Sequence, residues 1–233
     1  MSDRQIVALG GGGFSQLGAD SALDDFILGL ARSRNPRVCF LPTASGDADT
    51  YVASFYRAFA ARQCHPIDLA LFRRTVVDLE AFLLGQDVIY VGGGNTANML
   101  ATWRVHGVDR ILRQAWEQGV VLCGISAGAI CWFEAAVTDS FGLQLAGMRD
   151  GLGMLPGSAC PHYDSEERRR PVIQRLIVEG FPSGYAIDEG VGLHFLGSRL
   201  EEAVAELPGK SAYELRLEGT QAVERPIAVR RLR

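Results

Sequence analysis

Long apolar runs are missing from this sequence of 233 residues. No stretch approaches the ~18 consecutive apolar residues that a membrane-spanning helix requires. The first ten residues, MSDRQIVALG, carry charges at Asp3 and Arg4, and their apolar run is too short for a signal peptide. We therefore expect a cytoplasmic protein without a membrane partner.

Histidine is scarce, and cysteine occurs without a pairing pattern. The 5 cysteines include no C-x-x-C spacing, and the 4 histidines include no H-x-x-x-H or H-E-x-x-H spacing. Most of the cysteines lie in apolar segments such as VCFL and VVLCGI, which is typical of buried, reduced thiols. The histidine spacing does not support a metal site, so we expect no metal cofactor.

A surplus of positive charge is lacking too. The chain has 23 lysines and arginines against 27 aspartates and glutamates, which gives a formal net charge of −4. Nucleic-acid binding needs a basic surface that releases counterions from the phosphates. We expect no nucleic-acid partner. The charge is compatible with a small peptide substrate and with a homo-oligomer.

The sequence does contain short β-branched runs that alternate with longer segments of helical period. This alternation is typical of βαβ units around a mostly parallel sheet. The predicted strands cover residues 6–9, 38–41, 88–91 and 120–123. The predicted helices cover residues 21–33, 50–63, 96–104, 108–118 and 166–179. We predict a single α/β domain over residues 1–233, with a mostly parallel central sheet flanked by helices.

The alternation stops after the fourth strand. The stretch from about 136 to 165 predicts a long loop, and long loops in compact domains tend to be functional. After the last predicted helix, four short runs at 185–188, 191–195, 199–206 and 212–217 predict strands. Their close spacing indicates antiparallel hairpins at an edge of the sheet.

The segment GVVLCGISAGAICWF at 119–133 combines an apolar strand, the pattern G-x-S-x-G and a helix-forming run. In this setting the pattern is typical of a hydrolase nucleophile, here Ser126, because the flanking glycines permit a sharp turn that exposes the hydroxyl. A helix N-terminus stabilises negative charge, which makes the Ala127 amide a candidate oxyanion donor. The alternative is that Ser126 is only a helix N-cap.

A second glycine-rich turn, GGGNT at 92–96, follows a predicted strand. Glycine lets a backbone approach a ligand closely. We predict that Gly94 provides the second oxyanion donor and that Gly93 and Asn95 contribute to substrate binding. The turn also fits G-x-G-x-x-A, but the next strand ends without the acidic residue that binds a ribose, so we expect no dinucleotide. The glycines at 10–13 fit no phosphate-binding pattern and predict a tight turn near the site.

Four histidines compete for the role of the base that accepts the serine proton. His65 and His106 lie in segments that we predict to be on the surface. His194 lies in a predicted strand, on the face opposite its apolar neighbours, where a structural role is expected. His162 follows Pro161 at the end of the predicted loop, and the proline restricts how the chain approaches. These patterns favour His162 and leave His194 as the alternative.

Four segments carry a resemblance to a known family: YVGGGNT at 90–96, GISAGA at 124–129, PHYD at 161–164 and AIDEG at 186–190. Together they resemble the peptidase E family of aspartyl dipeptidases, which also includes cyanophycinase-like relatives. The resemblance runs in the same order from about residue 5 to residue 217. It implies a fold similar to class I glutamine amidotransferases and a Ser–His–Glu triad. It also implies cleavage of dipeptides with N-terminal aspartate, without a metal or nucleotide cofactor.

The resemblance places the triad serine on Ser126, its histidine on His162 and its carboxylate on Glu189, directly before Gly190. Asp188 stays open as the alternative acid, because successive strand residues point to opposite faces and only one of the two can meet the histidine. The chain order serine, histidine, acid differs from the order serine, acid, histidine of α/β-hydrolases. That difference argues against an ordinary esterase.

The resemblance also implies substrate-binding residues. Asp139 matches a family aspartate with a substrate-binding or supporting role. Arg169 overlays a family arginine, and a guanidinium suits bidentate binding of a substrate aspartate. The alternative is a solvated helix face, with Arg149, Arg168 and Arg170 as the next candidates for the cation. Two other functions stay open: a cyanophycinase-like hydrolase of aspartyl–arginine material, and a ligand-binding relative with little catalysis.

Overall fold

The computed structural model describes residues 4–233. Fourteen strands and eight α-helices lie in this part of the chain. The strands are β1 (Gln5–Leu9), β2 (Arg37–Leu41), β3 (His65–Asp68), β4 (Val88–Val91), β5 (Val121–Ile125), β6 (Phe133–Thr138), β7 (Ala146–Met148), β8 (Leu155–Cys160), β9 (Gly184–Ile187), β10 (Val191–Leu196), β11 (Arg199–Ala205), β12 (Ala212–Glu218), β13 (Gln221–Ile227) and β14 (Val229–Arg231). The helices are α1 (Phe14–Leu17), α2 (Ala22–Leu30), α3 (Asp49–Phe59), α4 (Leu79–Leu84), α5 (Thr96–His106), α6 (Val108–Glu117), α7 (Ala127–Ile130) and α8 (Arg169–Val178).

The predicted α/β alternation of the first half is confirmed, with small shifts at the ends of the elements. Helix α2 shows why these segments are helical. The hydroxyl of Ser21 accepts the Asp24 N–H at 3.2 Å and caps the helix, and Leu23 and Ile27, one turn apart, are fully buried. The N-cap and the spacing of the apolar residues therefore both favour a helix in this segment.

The central sheet has eight strands in the order β14-β11-β10-β1-β5-β4-β2-β3. Neighbours from β1 to β3 are parallel, while β10 is antiparallel to β1 and β11 is antiparallel to β10. The predicted mostly parallel sheet with antiparallel C-terminal strands at its edge is confirmed. Both faces are covered: Ile6 and Ala8 pack in the cluster of α5 and α6, and Val7 and Leu9 in the cluster of α2 and α3.

The prediction of a loop over about 136–165 is wrong. This stretch contains β7, β8 and the end of β6, which belong to a second sheet in the order β13-β12-β9-β8-β6-β7. The strands escaped prediction because β7 (AGM) and β8 (LPGSAC) lack the β-branched and aromatic residues that are typical of strands. Helix α8 packs on this sheet through Ile173 and Ile177.

The four predicted C-terminal strands divide between the two sheets. Strands β10 and β11 are the antiparallel strands on the β1 side of the central sheet, as expected, and β14 lies outside β11 and parallel to it. Strands β9 and β12 instead pair with each other in the second sheet, where β13 continues the antiparallel order. Consecutive strands therefore cross between the sheets, and the turn from β9 to β10 lies where the sheets meet.

The carboxyl ends of β1, β5 and β4 lie side by side in the central sheet. In α/β sheets ligands bind outside these ends. The segments that leave these strands are the glycine turn at 10–13, the G-x-S-x-G turn and the loop at 92–95. Within residues 4–233, no helix is long and apolar enough to cross a membrane.

Candidate active site

Ser126 stands directly after β5 on a strained turn. Its φ of 54° and ψ of −109° lie in a region that non-glycine residues rarely adopt, at a cost of about 1–3 kcal/mol. Glycine is needed on both sides. A Cβ on Gly124 would lie 2.4 Å from the Gly128 carbonyl oxygen, and one on Gly128 would lie 2.3 Å from the Val91 carbonyl oxygen. The Ser126 amide donates to the Leu9 carbonyl at 3.0 Å, so β1 fixes the turn.

His162 faces the serine across the end of β1. Its Nε2 lies 2.8 Å from Ser126 Oγ. It follows Pro161 after β8 and adopts a left-handed backbone with φ 52°. Its amide donates to the Gly10 carbonyl at 3.0 Å. Since Leu9 and Gly10 are consecutive, one short piece of backbone fixes the histidine relative to the serine.

Glu189 lies on the other side of the imidazole. Its Oε1 is 3.0 Å from His162 Nδ1, its Oε2 accepts Gln16 Nε2 at 3.1 Å, and its amide donates to Asp164 Oδ1 at 2.9 Å. Burial raises the pKa of Glu189, but hydrogen bonds from Gln16, His162 and Ser165 outweigh it, and the pKa lies below its ordinary value. The carboxylate is therefore ionised at neutral pH and suited to orient the imidazole and to stabilise its protonated form.

The two competing candidates are engaged elsewhere. Asp188 Oδ2 accepts the Ser211 amide at 2.9 Å, and burial raises the pKa of this aspartate. His194 Nε2 lies 3.0 Å from Gln5 Oε1, and its ring packs edge-on against Phe26. Both side chains serve contacts outside the serine–histidine pair.

The two amides predicted as oxyanion donors lie on the segments that follow β5 and β4. Ala127 is the first residue of α7, so its N–H lies at a helix N-terminus. In the part of the chain that the structure describes, the N–H groups of Ala127 and Gly94 have no hydrogen-bond acceptor. Gly93 lies beside the serine, where an added Cβ would be 3.6 Å from the serine Cβ, but its N–H donates to Tyr51 Oη at 3.2 Å. The Ala127 and Gly94 amides are the donors that the sequence predicts for an oxyanion.

The glycines that fit a dinucleotide-binding pattern are required by packing. A Cβ on Gly92 would lie 2.9 Å from the Tyr51 ring, and one on Gly94 would lie 2.2 Å from the Ala44 carbonyl oxygen. As for metals, no three His, Cys, Asp or Glu side chains within residues 4–233 are grouped so that they could hold an ion.

Asn95 contacts the segment that contains Asp139. Asn95 caps α5, since its Oδ1 accepts the Asn98 N–H at 2.9 Å, and its Nδ2 donates to the Ser140 carbonyl at 3.0 Å. Asp139 precedes Ser140 and is exposed. Asn95 therefore ties the loop after β6 to the loop beside the serine, and its amide is already used by the fold.

Arg169 is buried and paired with groups of the protein itself. It is only 3% exposed. Its Nε and Nη2 donate to the two carboxylate oxygens of Glu166 at 2.9 and 3.2 Å, and its Nη1 donates to the Val137 carbonyl at 3.2 Å. Three of the five guanidinium N–H groups are used in these bonds and the side chain is buried, so its position indicates a role in attaching α8 to β6.

The other arginines named as candidates differ in their partners. Arg149 donates to the Gly180 carbonyl at 2.7 Å, and Arg170 lies 3.5 Å from Glu224. Arg168 is exposed, contacts one loop carbonyl at 3.4 Å, and has no carboxylate within ion-pair distance among the described residues. Arg168 is thus the arginine of the run 168–170 that is free to meet an anion.

Some side chains at the site were not identified from the sequence. Gln16 and Asp164 both bond to Glu189, through its carboxylate and its amide respectively. Gln16 is 173 residues away along the chain, and no local pattern marks the contact. For Asp164, its place in the PHYD segment was the available signal.

Comparisons with known proteins agree on a family. The family model described as Peptidase family S51 matches residues 6–203. The chain is 49% identical over 230 residues to a protein named Uncharacterized peptidase YgaJ from Bacillus subtilis (strain 168), covering 98% of this chain and 99% of that protein. It is 27% identical over 189 residues to Peptidase E of Pasteurella multocida (strain Pm70), covering 76% and 77% of the two chains.

Two solved structures share the fold. One is a peptidase from an acI-B1 Actinobacterium, with a TM-score of 0.75 and 15% identity over 97% of this chain and 95% of that one. The other is a putative Peptidase E protein from Listeria monocytogenes EGD-e, with a TM-score of 0.60 and 18% identity over 97% of this chain and 100% of that one. At these identities the likeness concerns the fold alone.

Proposed function

The chain belongs to peptidase family S51, and from this membership we propose that it is a serine peptidase. In this proposal Ser126 attacks the substrate, His162 is the general base and Glu189 orients the histidine. The observation that carries it is the unbroken line from Ser126 Oγ to His162 Nε2, 2.8 Å, and from His162 Nδ1 to Glu189 Oε1, 3.0 Å. A serine hydroxyl needs an adjacent base, and the base needs a third group that fixes its tautomer.

The proposed reaction follows from these contacts. His162 donates a hydrogen bond from its Nδ1–H to Glu189. Its Nε2 accepts the Ser126 proton while Oγ bonds to the scissile carbonyl carbon. The amides of Ala127 and Gly94 bind the resulting oxyanion. The imidazolium then protonates the leaving amine as the C–N bond breaks, which leaves an acyl-enzyme. Water, deprotonated by the same histidine, hydrolyses the ester and restores the serine hydroxyl.

For the substrate, we propose dipeptides or short peptides with N-terminal aspartate. The support is the likeness to proteins named Peptidase E and the PHYD and AIDEG segments that resemble that family. Because Arg169 is buried and paired with Glu166, we assign the binding of the substrate carboxylate to the exposed Arg168. A partly desolvated carboxylate is costly to leave unpaired, so a site with a free guanidinium disfavours neutral side chains.

The experiment is a panel of dipeptides that differ in one residue. Aspartyl-, asparaginyl-, glutamyl- and alanyl-leucine are incubated with the purified protein, and released leucine is measured. We expect hydrolysis of aspartyl-leucine above the other three and none with Ser126→Ala. The matched control is Ser54→Ala, which removes a serine that bonds within α3 and should keep full activity. An aspartyl-arginine polymer is included as a further substrate, and release of aspartyl-arginine units from it in preference to dipeptide cleavage would favour the cyanophycinase-like alternative.

Covalent trapping tests the nucleophile separately from the substrate. A serine-directed phosphonate should add one adduct to the intact protein, located on Ser126 by peptide mass mapping. His162→Ala should slow the labelling, because the hydroxyl loses its base. Labelling of a different serine, or equal labelling of the Ser126→Ala protein, would refute the proposed nucleophile. An adduct on Ser126 without dipeptide hydrolysis would retain the nucleophile and move the question to the substrate.

A further inference from the structure

Glu206, directly after β11, is a buried carboxylate outside the proposed triad. It is 5% exposed. Its Oε1 accepts the Gly13 N–H at 2.8 Å, and its Oε2 accepts the Ser21 hydroxyl at 2.7 Å and the Leu23 N–H at 3.3 Å. One carboxylate therefore joins the end of β11 to the glycine turn at 10–13 and to the start of α2.

The turn that Glu206 holds is in direct contact with the proposed acid and base. A Cβ on Gly11 would lie 2.8 Å from Glu189 Cγ and 3.3 Å from His162 Nδ1. The Gly10 carbonyl accepts the His162 N–H at 3.0 Å, and the Gly11 carbonyl accepts the Gly190 N–H at 3.3 Å. A displacement of this turn would therefore move both His162 and Glu189.

The same turn leads into α1, which brings Gln16 to the acid. The backbone N–H of Gln16 donates to the Gly13 carbonyl at 3.1 Å. The side-chain Nε2 of Gln16 donates to Glu189 Oε2 at 3.1 Å. The backbone N–H of Glu206 also donates to the Gly190 carbonyl at 3.0 Å. Glu206 thus holds the two pieces of backbone that flank Glu189, one through its side chain and one through its main chain.

The charged groups near this network do not account for the burial of the Glu206 carboxylate. Asp24 lies across Gly13, its Oδ1 accepts the Tyr90 hydroxyl at 3.0 Å, and Arg62 Nη2 lies 3.8 Å from its Oδ2. Burial raises the pKa of Asp24 to about 7, despite the Arg62 charge. Among residues 4–233, no cation lies within ion-pair distance of Glu206; its donors are two backbone amides and one hydroxyl. Its contacts therefore fix backbone positions.

We infer that Glu206 is a positioning residue of the proposed triad. By holding the Gly13 amide it fixes the turn at 10–13 and α1, and these keep Glu189 aligned with His162. The inference rests on the proposed function. Misplacement of a catalytic group by about 1 Å can lower a rate by about 10²-fold, so a defect far smaller than unfolding is measurable.

The first test compares Glu206→Gln with Glu202→Gln, a matched change on β11 where the carboxylate pairs with Arg230. The glutamine at 206 keeps the side-chain volume but cannot accept all three hydrogen bonds. We expect it to lower kcat on aspartyl-leucine by about 10- to 100-fold and to leave KM little changed. The acid limb of the kcat profile should move to lower pH, because a misaligned Glu189 stabilises the imidazolium less. Glu202→Gln should change neither quantity.

The second test asks whether Glu206 acts through Gln16. Gln16 is exposed, so Gln16→Ala should fold normally. Residues that act through one contact are non-additive in a double-mutant cycle. We therefore expect the double variant Gln16→Ala with Glu206→Gln to lose less than the product of the two single effects. Fully multiplicative effects would overturn the proposed route through α1.

The third test does not depend on turnover. The His162 ring is followed by NMR, through its titration midpoint and the shift of its Nδ1 proton. Glu206→Gln should lower the midpoint and move the proton signal, whereas Glu202→Gln should not. If Glu206→Gln fails to fold, Ser21→Ala, which removes one donor to the carboxylate, should give the same changes at smaller size. An unchanged ring in a folded variant overturns the positioning role. A changed ring in a protein without peptidase activity would refute the proposed function alone.

Discussion

Replacing Glu189 with glutamine tests the proposed triad at the atom that sets the histidine tautomer. In the structure Glu189 Oε2 accepts Gln16 Nε2 at 3.1 Å, while Oε1 faces His162 Nδ1 at 3.0 Å. In Glu189→Gln the Gln16 donor favours the amide oxygen at the Oε2 position. The new NH2 group is then placed opposite His162 Nδ1.

An NH2 donor at that position favours the tautomer with its proton on Nε2. Such an imidazole cannot accept the Ser126 proton. The equivalent aspartate-to-asparagine change in a Ser-His-Asp protease lowers kcat by about 10⁴-fold. We expect a loss of about 10³- to 10⁴-fold in kcat for Glu189→Gln, with little change in KM. The matched control is Asp188→Asn, one residue away, whose carboxylate bonds to the Ser211 amide and which should keep most of the activity.

The assay is steady-state hydrolysis of aspartyl-leucine, with circular dichroism to show that each variant is folded. A further variant combines Glu189→Gln with Gln16→Ala. Without the Gln16 donor the amide at 189 can rotate and present its oxygen to His162 Nδ1, so part of the lost activity should return. A folded Glu189→Gln protein with more than about a tenth of wild-type kcat would refute the reasoning, since a wrong tautomer cannot support that rate. An equal loss in Asp188→Asn would move the acid to Asp188.

Four further predictions concern the nucleophile, the strained turn, a buried acid and the substrate cation. Ser126→Ala and His162→Ala should each lower kcat by orders of magnitude and the double variant should add little, because residues that act as a unit are non-additive; multiplicative losses in steady-state kinetics would separate the two. Ser126→Gly should unfold at a higher urea concentration than Ser126→Ala, because glycine relieves about 1–3 kcal/mol of strain against roughly 0.5–1 kcal/mol of added chain entropy; the reverse order would show that the turn is not strained. Asp24 has a pKa of about 7 in the fold against an ordinary value of 3.8, so the folded state binds more protons between these values and stability should fall as pH rises from about 4 to 7. Asp24→Asn should remove this fall in urea titrations at several pH values, and an unchanged slope would contradict it. Arg168→Met should weaken hydrolysis of aspartyl-leucine much more than of alanyl-leucine, while Arg169→Met should lower the melting temperature and affect both substrates alike; the opposite pattern would return the substrate role to Arg169.

The parts of the site that could be predicted from sequence are those with strong local requirements. A serine with φ 54° between glycines at 124 and 128 needs a sharp turn that few sequences allow, and G-x-S-x-G records that need directly. Glu189 is similar, because its place before Gly190 distinguished it from Asp188 through the family resemblance. The structure places Glu189 Oε1 at His162 Nδ1 and the Asp188 carboxylate at the Ser211 amide.

The parts that could not be predicted depend on contacts between distant segments. Strands β7 and β8 carry alanine, glycine, serine and proline, and they are strands because neighbours in the second sheet pair with them. Arg169 has the residue type for binding a carboxylate, but its guanidinium is taken by Glu166, three residues before it. No local sequence pattern marks Glu206, because the Gly13 amide that it binds lies 193 residues away in the chain. Residue type indicates which interactions a side chain can form, whereas packing decides which partner the side chain contacts.

The glycine turn after β1 combines a local sequence requirement with contacts between distant segments. Three segments that are far apart in the chain dock on three consecutive carbonyls: the Ser126 amide on Leu9, the His162 amide on Gly10 and the Gly190 amide on Gly11, at 3.0, 3.0 and 3.3 Å. Side chains would prevent this approach, since a Cβ on Gly10 would lie 2.4 Å from the Asp188 carbonyl oxygen. The run of glycines, which the sequence marked only as a tight turn, is therefore the surface on which the proposed nucleophile, base and acid are assembled. Because the β1 backbone is held on both sides by β5 and β10, the relative positions of the three groups follow from the central sheet.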